Sequence, residues 1–482
     1  MIRRFAVAIA MIAALFASRA SADTPPRQPH ILVILSDDAG YSDFGFTRFA
    51  AGDVPGPSTP HLDRLAESGI VCTQAYVTAS TCTPSRMGLM SGRYQQRFGA
   101  ECNVPTIPTP GFTKEDLGLD VQQKTLGTML KSCGYRTMAI GKWHLGEIDR
   151  YHPNERGFDR FYGFLGGSRT YWPLEKPSRG HAIREDSLPV DETKTITYLT
   201  DQLTDAAIDF LEASHASGDP AFVYLAYNAV HSPFEAKPSD LDNTQGFEPE
   251  VRHKVAAMTK SMDDNIGRIL DRLEELKIRD QTLIVFLNDN GGTPGKAHDN
   301  GRLRGAKGTY WEGGIRVPMI VSLPEVLAKG TRYESPVSAM DLMPTFFAAA
   351  TESESVPKSA SLPDTDGVNL LPFLTGKRSG PPHESLFWRF WRISAVRQGP
   401  WKLIRVADDP LQQERGLLAD PILIHLENDP TEQTNVAKQN PDRTRAMLKS
   451  IEEWEKGLSA PRWYDGRDWK HWQKAQLKNH RP

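Results

Sequence analysis

Four apolar stretches of this chain each run directly into residues able to do polar chemistry. His30–Ser36 leads to Asp37 and Asp38, and residues 136–141 lead to Lys142 and His144. Residues 221–227 lead to His231, and residues 282–288 lead to Asp289 and Asn290. A lone Asp after a strand is more often a turn former or helix cap than a ligand. Four strand ends that all carry such groups point to one shared site, because ligands of an open parallel sheet bind outside the carboxyl ends of its strands. Asp37, Asp38, Asp289 and Asn290 offer oxygen donors only, which suits a hard cation such as Ca²⁺, or Mg²⁺ as second choice. Without a cation, three neighbouring carboxylates would repel one another. Zinc would want His or Cys at close spacing, which these motifs lack. A calcium that only ties loops together is the plainer alternative.

A second cluster is Cys82-Thr83-Pro84-Ser85-Arg86, followed by Met90-Ser91-Gly92-Arg93. By residue type alone, Cys82 is a buried structural thiol, half of a disulfide, or a nucleophile near Arg86 and Lys142. His298 lies close to the Asp289-Asn290 motif, as a substrate contact or an ordinary loop histidine. Arg169, Tyr171 and Trp172 follow a Gly-rich turn and are placed either to touch a sugar or to pack against the C-terminal part.

These groups need a rigid frame, and the sequence supplies one. The apolar runs show no polar alternation, which suits strands covered on both faces, meaning a parallel sheet between helices. Residues 198–212 place Leu199, Leu203, Ala206, Ala207 and Phe210 on one helical face, and residues 266–276 do the same with Ile269, Leu270 and Leu273. Strands alternating with helices predict an α/β domain. Pro-rich polar stretches at 103–114, 173–192, 232–249 and 351–366 read as surface loops. Near residue 376 the texture changes. Residues 385–405 and 422–426 read as antiparallel strands, with a turn at Gln398-Gly399-Pro400, and a polar helix follows over 440–457. Seven of ten tryptophans lie at or after Trp388. They suit core and interface packing better than sugar stacking.

Composition limits the possibilities further. The 482 residues are 39% hydrophobic and 24% charged, with a net charge of −3. That is ordinary globular composition, with no basic field for nucleic acid. Four cysteines are too few for a disulfide framework. Arg3 and Arg4 precede an apolar run from Phe5 to Phe16, and then Ala20-Ser21-Ala22. This layout predicts a signal peptide over 1–22, with a periplasmic or extracellular product and no stable membrane anchor. The remaining chain divides into a catalytic domain, 23–375, and a smaller C-terminal domain, 376–482.

Cys82–Arg86 resembles the Cys-x-Pro-x-Arg signature of the type I sulfatases of the alkaline phosphatase-like superfamily. The resemblance continues through SDDAGYSD (36–43), GKWHLG (141–146), HPNERGFDRFYGFLGG (152–167), NDNGG (288–292) and RLRGAKGTYWEGGIRVP (302–318). It closes with AVRQGPWKLI and HLENDPTEQTNVA. Matches run in family order from about residue 30 to 437. The resemblance implies a large mixed, mainly parallel sheet sandwiched by helices, plus a smaller C-terminal α+β domain with an antiparallel sheet.

The resemblance also implies roles. Cys82 is oxidised after translation to formylglycine by a separate maturation enzyme. Its hydrate attacks the sulfur of a sulfate ester through one hydroxyl and eliminates sulfate through the other. Asp37, Asp38, Asp289 and Asn290, with the modified Cys82, bind Ca²⁺. Arg86 holds the hydrate, while Lys142 and Lys307 stabilise the sulfuryl charge and bind substrate. His231 protonates the leaving alcohol and contacts substrate, and His144 is the base, although the two could exchange roles. The substrate is a sulfated carbohydrate or an aryl sulfate. Two rival readings are a phosphatase or phosphodiesterase of the same superfamily and a catalytically silent glycan-binding relative. Cys82, and the absence of a second His-rich metal set, argue against the first.

Overall fold

The computed structural model describes residues 28–48, 56–108, 111–352, 356–406 and 420–463. The expected signal peptide, 1–22, lies outside them. The strands β1 (His30–Ser36), β2 (Ile70–Cys72), β3 (Arg136–Lys142), β4 (Arg160–Phe164), β5 (Ala221–Ala226), β6 (Thr282–Asn288), β7 (Met319–Ser322) and β8 (Thr331–Tyr333) share one sheet. Their order is β8-β2-β7-β6-β1-β5-β3-β4, and the hairpin of 184–185 and 188–189 extends the β4 edge to ten strands. From β6 to β4 all neighbours are parallel. Antiparallel β7 makes the sheet mixed. The four strands that end in polar residues are therefore adjacent, and their carboxyl ends lie along one edge.

Lack of alternation in β1 has a direct cause. Ile31, Val33 and Leu35 pack on one side with the helices α2 (Cys82–Ser91), α3 (Leu126–Ser132) and α6 (Leu342–Thr351), all in one core. Leu32 and Ile34 pack on the other side with α1 (Pro60–Glu67), α4 (Leu199–Ser217) and α5 (Glu250–Glu275). Each such side chain contributes about 1.5–3 kcal/mol by leaving water. Helix α4 buries Leu199, Leu203, Ala207 and Phe210 as its periodicity predicts, while Ala206 is only half-buried. Helix α5 starts sixteen residues before the expected 266. Its first half buries Val255, Ala256, Ala257, Met258 and Met262, with none of the Ile and Leu that mark the second half.

The C-terminal strands β9 (Leu386–Phe390), β10 (Ile393–Gln398), β11 (Trp401–Val406) and β12 (Ile422–His425) form a separate antiparallel sheet. One face packs Trp388, Ile393, Ala395 and Ile404 against Tyr76, Tyr94 and Trp311 of the main body. The other face carries Val396, Leu403 and Leu423 against α7 (Pro441–Glu455). Trp388 and Trp463 are buried with their indole N–H groups on backbone carbonyls, a packing role. No helix among the described residues is long and apolar enough to cross a membrane.

Candidate active site

Strand order brings the polar ends together around one sulfur. Cys82 is the first residue of α2, a ten-residue helix whose every residue is buried. Its Sγ lies 3.1 Å from Lys307 Nζ, 3.6 Å from Asp37 Oδ1 and 3.9 Å from Asp38 Oδ1. Arg86, one helical turn on, points the same way. Its Nε and Nη2 each lie 2.9 Å from Asp289 Oδ2, Nη2 lies 3.4 Å from Asp37, and Nη1 donates to the Lys142 carbonyl at 3.0 Å. Lys142 pairs with Asp37, and Lys307 Nζ is 2.6 Å from Asp38 Oδ1. Three cations thus alternate with three carboxylates about Cys82. The helix N-terminus adds a partial positive charge on the same side.

Asn288, the last residue of β6, locks the two acidic loops. Its amide accepts from Ser36 Oγ at 2.7 Å and donates to the Ala39 carbonyl at 2.6 Å. Its place at the end of an apolar run was the available signal, but it reads as strand rather than site. Asp38 and His144 hold left-handed backbone, with φ of 64° and 56°. Such strain in non-glycine residues is common where function fixes a side chain. Gly167 leaves room for the His144 ring, since a Cβ there would lie 2.5 Å from Nε2.

Burial sets the protonation of the cluster. It favours neutral Asp38, but Lys307, His231 and Lys142 overcome it and hold the carboxylate ionised, well below the usual range. Burial also opposes the Lys307 ammonium, yet Asp38 and its neighbours raise it well above the ordinary lysine value. The Cys82 thiol is pushed far up by burial, which Lys142 and Lys307 only partly offset, so it is a protonated thiol at neutral pH. Burial, Lys142 and Arg86 push His144 well below its usual value, leaving a neutral imidazole. His231 falls to about 4, through burial and Lys142 against the pull of Asp38.

The two histidines differ in outlook. His231 keeps 17% of its side chain exposed, with Nε2 3.4 Å from Asp38 Oδ2 and Nδ1 2.6 Å from the Ser232 carbonyl. A carbonyl only accepts, so Nδ1 carries hydrogen and Nε2 faces the cluster. His144 is buried, and its Nδ1 has no hydrogen-bond partner.

Three expected substrate contacts are placed differently. Arg169 is buried with its guanidinium bidentate on Glu192, at 3.0 and 2.7 Å, and bonded to three carbonyls, so it holds its loop together and has no donor face left for a sugar. Trp172 packs edge-on against Tyr198, on the α4 side of the main body rather than on the C-terminal sheet. His298 has a fully buried side chain, 3.7 Å from Asp43 and edge-on to Phe234. Tyr171 is buried as well, stacked on Tyr198, and its hydroxyl donates to the Asn228 and His231 carbonyls at 2.6 and 2.9 Å. It supports the His231 loop from below. Another contributor hidden in the sequence is Tyr224, a mid-strand residue of β5. Burial pushes its phenol up to about 12, against the opposing charge of Arg86.

The residues fit a hard cation. Asn290 Nδ2 donates to Asp38 at 2.7 Å, while its Oδ1 is buried with no partner. An orphaned carbonyl oxygen beside clustered carboxylates is the donor pattern such an ion takes. Asp37, Asp38, Cys82 and His231 also lie within 4.8 Å of one another. The nitrogen and sulfur donors that spacing along the chain does not reveal are therefore close by in space. Cys72, Cys82, Cys102 and Cys133 are all free thiols, so no disulfide forms among the three ordinary ones.

A sheet of this order, with its polar groups at the carboxyl edge and a small antiparallel sheet beside it, defines an alkaline phosphatase-like protein. Residues 29–352 match the family model for Sulfatase, and the chain belongs to the sulfatase family. It is 32% identical to arylsulfatase J of Mus musculus over 399 residues, 78% of this chain and 64% of that protein. It is 31% identical to the uncharacterized sulfatase YdeN of Escherichia coli (strain K12) over 407 residues, 75% of this chain and 68% of that protein. Among solved structures, Ps i-CgsB superposes with a TM-score of 0.80 at 32% identity, covering 94% of this chain and 99% of that one. Ps i-CgsB has also been solved in complex with k-i-k-neocarrahexaose.

Proposed function

We propose that this protein hydrolyses sulfate monoesters of a carbohydrate, with Cys82 converted to formylglycine and a bound Ca²⁺. The observation that carries this reading is the cation cluster at Cys82, with Lys307 Nζ 3.1 Å from Sγ and with Lys142 and Arg86 paired to the neighbouring Asp37 and Asp289. The sulfuryl group bears negative charge, and more accumulates on the leaving oxygen in the transition state. Preorganised cations aimed at that charge are an effective catalyst, each worth about a hundredfold in rate. A protonated, buried thiol is a poor nucleophile, which favours the modified residue over sulfur itself. The hydrated aldehyde supplies one hydroxyl for attack on sulfur and a second whose deprotonation releases sulfate.

The side chains divide the remaining work. Arg86 orients the nucleophile from one helical turn away. Lys142 and Lys307 bind the sulfuryl oxygens. Neutral, buried His144 accepts the proton from the second hydroxyl. His231, the more exposed histidine, gains a second proton at Nε2 when substrate binds and delivers it to the leaving alcohol. An anionic substrate between Lys142 and Lys307 offsets the two charges that hold His231 down, and so raises its proton affinity on binding. Asp37, Asp38, Asp289 and Asn290, with the modified Cys82, would hold Ca²⁺, which would neutralise carboxylate charge and polarise sulfate oxygens. Function then needs a formylglycine-generating enzyme as partner. The signal-peptide layout expected over 1–22 supports a periplasmic or extracellular site of action.

Carbohydrate substrates are supported by relatives named N-acetylgalactosamine-6-sulfatase and by the oligosaccharide complex of Ps i-CgsB. The test is a panel of defined sulfated mono- and oligosaccharides, aryl sulfates and matched phosphate esters. Sulfate release from one sulfated sugar class is expected. Turnover of the phosphate esters alone would assign the rival phosphatase activity, and binding with no turnover by matured protein would assign a silent glycan binder.

A further inference from the structure

Lys307 is carried by a loop that is held from outside as well as by its own hydrogen bonds. The strand ends bearing Asp37, Asp289 and Lys142 belong to the main sheet, whereas residues 304–313 form an excursion closed at its base by the Gly313 N–H on the Arg304 carbonyl, at 2.7 Å. Toward its tip, Lys307 N donates to Gly292 O at 2.9 Å and Gly308 N donates to Ser80 O at 2.7 Å. These two bonds set its height above the acidic loop and the segment before Cys82.

Both feet of the loop stand on one residue from far along the chain. Glu432 Oε2 accepts from the Glu312 N–H at 2.7 Å, and the Glu432 carbonyl accepts from Arg304 Nη1 at 2.5 Å. The Arg304 guanidinium also covers the Trp311 ring at 3.8 Å. Glu432 itself is held in left-handed backbone, φ 54°, and is fully buried. Lys402 of β11 fixes its carboxylate. The Lys402 ammonium lies 2.9 Å from Glu432 Oε1 and 2.9 Å from Glu312 Oε1, with no exposed surface. Glu312 also accepts from the Tyr76 hydroxyl at 2.6 Å and lies 3.6 Å from Arg316.

We propose that Glu432 and Lys402, both outside the main sheet, are positioning residues for Lys307. Through Glu312 and Arg304 they clamp the two feet of its loop and so fix where the ammonium stands against Cys82 and Asp38. This rests on the catalytic role of Lys307 proposed above. The chemical logic is that a buried carboxylate that accepts from a backbone N–H and is ion-paired with a buried ammonium has few alternative positions, and the loop inherits that restriction. The C-terminal sheet therefore takes part in building the site, as well as covering the main body.

A double-mutant cycle tests this on matured enzyme normalised for formylglycine content. The variants are Glu432→Gln, Lys307→Ala and their combination. Glu432→Gln alone is expected to lower kcat about tenfold, while in the Lys307→Ala background it should cost less than about twofold. Arg304→Met, only half-buried, cuts the other foot and should show the same non-additivity, so the cycle can be completed even if Glu432→Gln does not fold. Multiplicative losses from both variants would overturn the clamp and leave them as stability residues. A Lys307→Ala enzyme with wild-type kcat would instead remove Lys307 from the chemistry, and the clamp with it.

Discussion

Two buried arginines, Arg86 and Arg169, look alike in the sequence and nearly alike in their immediate bonding. Each is paired with a carboxylate at 2.7–3.0 Å and each bonds to main-chain carbonyl. They differ in what the carboxylates face. Glu192 spends its remaining capacity on the Leu174 and Ile183 N–H groups, so the pair around Arg169 is closed. Asp289, beside Arg86, shares its surroundings with Asp37, Asp38 and a thiol, and burial and Asp37 raise its proton affinity. That cluster has more charge than its internal bonds consume, and it retains an unpartnered Asn290 oxygen. A closed pair stabilises a loop, whereas an open one can act on a ligand.

The largest expected effect is at the sulfur that the open cluster surrounds. Cys82→Ala should lower sulfate release by roughly 10⁴-fold or more while thermal unfolding stays within a few degrees. Wild-type-like turnover would detach the cluster from chemistry. Next, Asp289→Asn removes the partner of Arg86 and one candidate cation ligand. A fall of about 10²–10³ in kcat is expected, together with weaker Ca²⁺ binding by calorimetry. Unchanged calcium affinity would show that a different ligand set holds the ion.

The arginines themselves give the direct contrast. Arg86→Lys should cost about a hundredfold in kcat, because one ammonium cannot span Asp289 and the Lys142 carbonyl. Arg169→Lys should leave kcat within about threefold and lower stability by about 1–3 kcal/mol, because Glu192 then stays buried and under-satisfied. A kcat loss at Arg169 to match that at Arg86 would erase the distinction drawn here.

The smallest effect is the pH dependence of the closed pair. Burial favours neutral Glu192, but Arg169 and two backbone N–H groups outweigh it, so its folded pKa lies below the ordinary 4.5. A depressed carboxylate contributes stability that is full above 4.5 and is lost as pH falls through the lower folded value. The stability gap between wild type and Glu192→Gln should therefore be constant near neutrality and shrink in acid. A gap that widens in acid would reverse the assignment.

Much of this frame was legible beforehand. Apolar runs without alternation identify β1, β3, β5 and β6, and polar strand ends identify the residues that meet at the sheet edge. Periodicity cannot tell where a loop residue points. Arg169 after a glycine turn reads as free to bind, and only the fold brings Glu192 beneath it. Asn288 and Tyr224 are masked by their places inside apolar strands. The links from Glu432 and Lys402 to Lys307 span nearly the whole later part of the chain, beyond the reach of local pattern. Resemblance carried the readings of Cys82 and Lys307, which residue type alone leaves open.

The central claim is that Cys82 does not remain a cysteine in working enzyme. Trypsin releases Cys82 with Cys72 in one peptide, 65–86. In active preparations the account predicts that this peptide is lighter by about 18 Da, the change from CH₂SH to CHO, with a single alkylatable thiol that fragments to Cys72. Full sulfate-releasing activity in a preparation where both cysteines alkylate would contradict it.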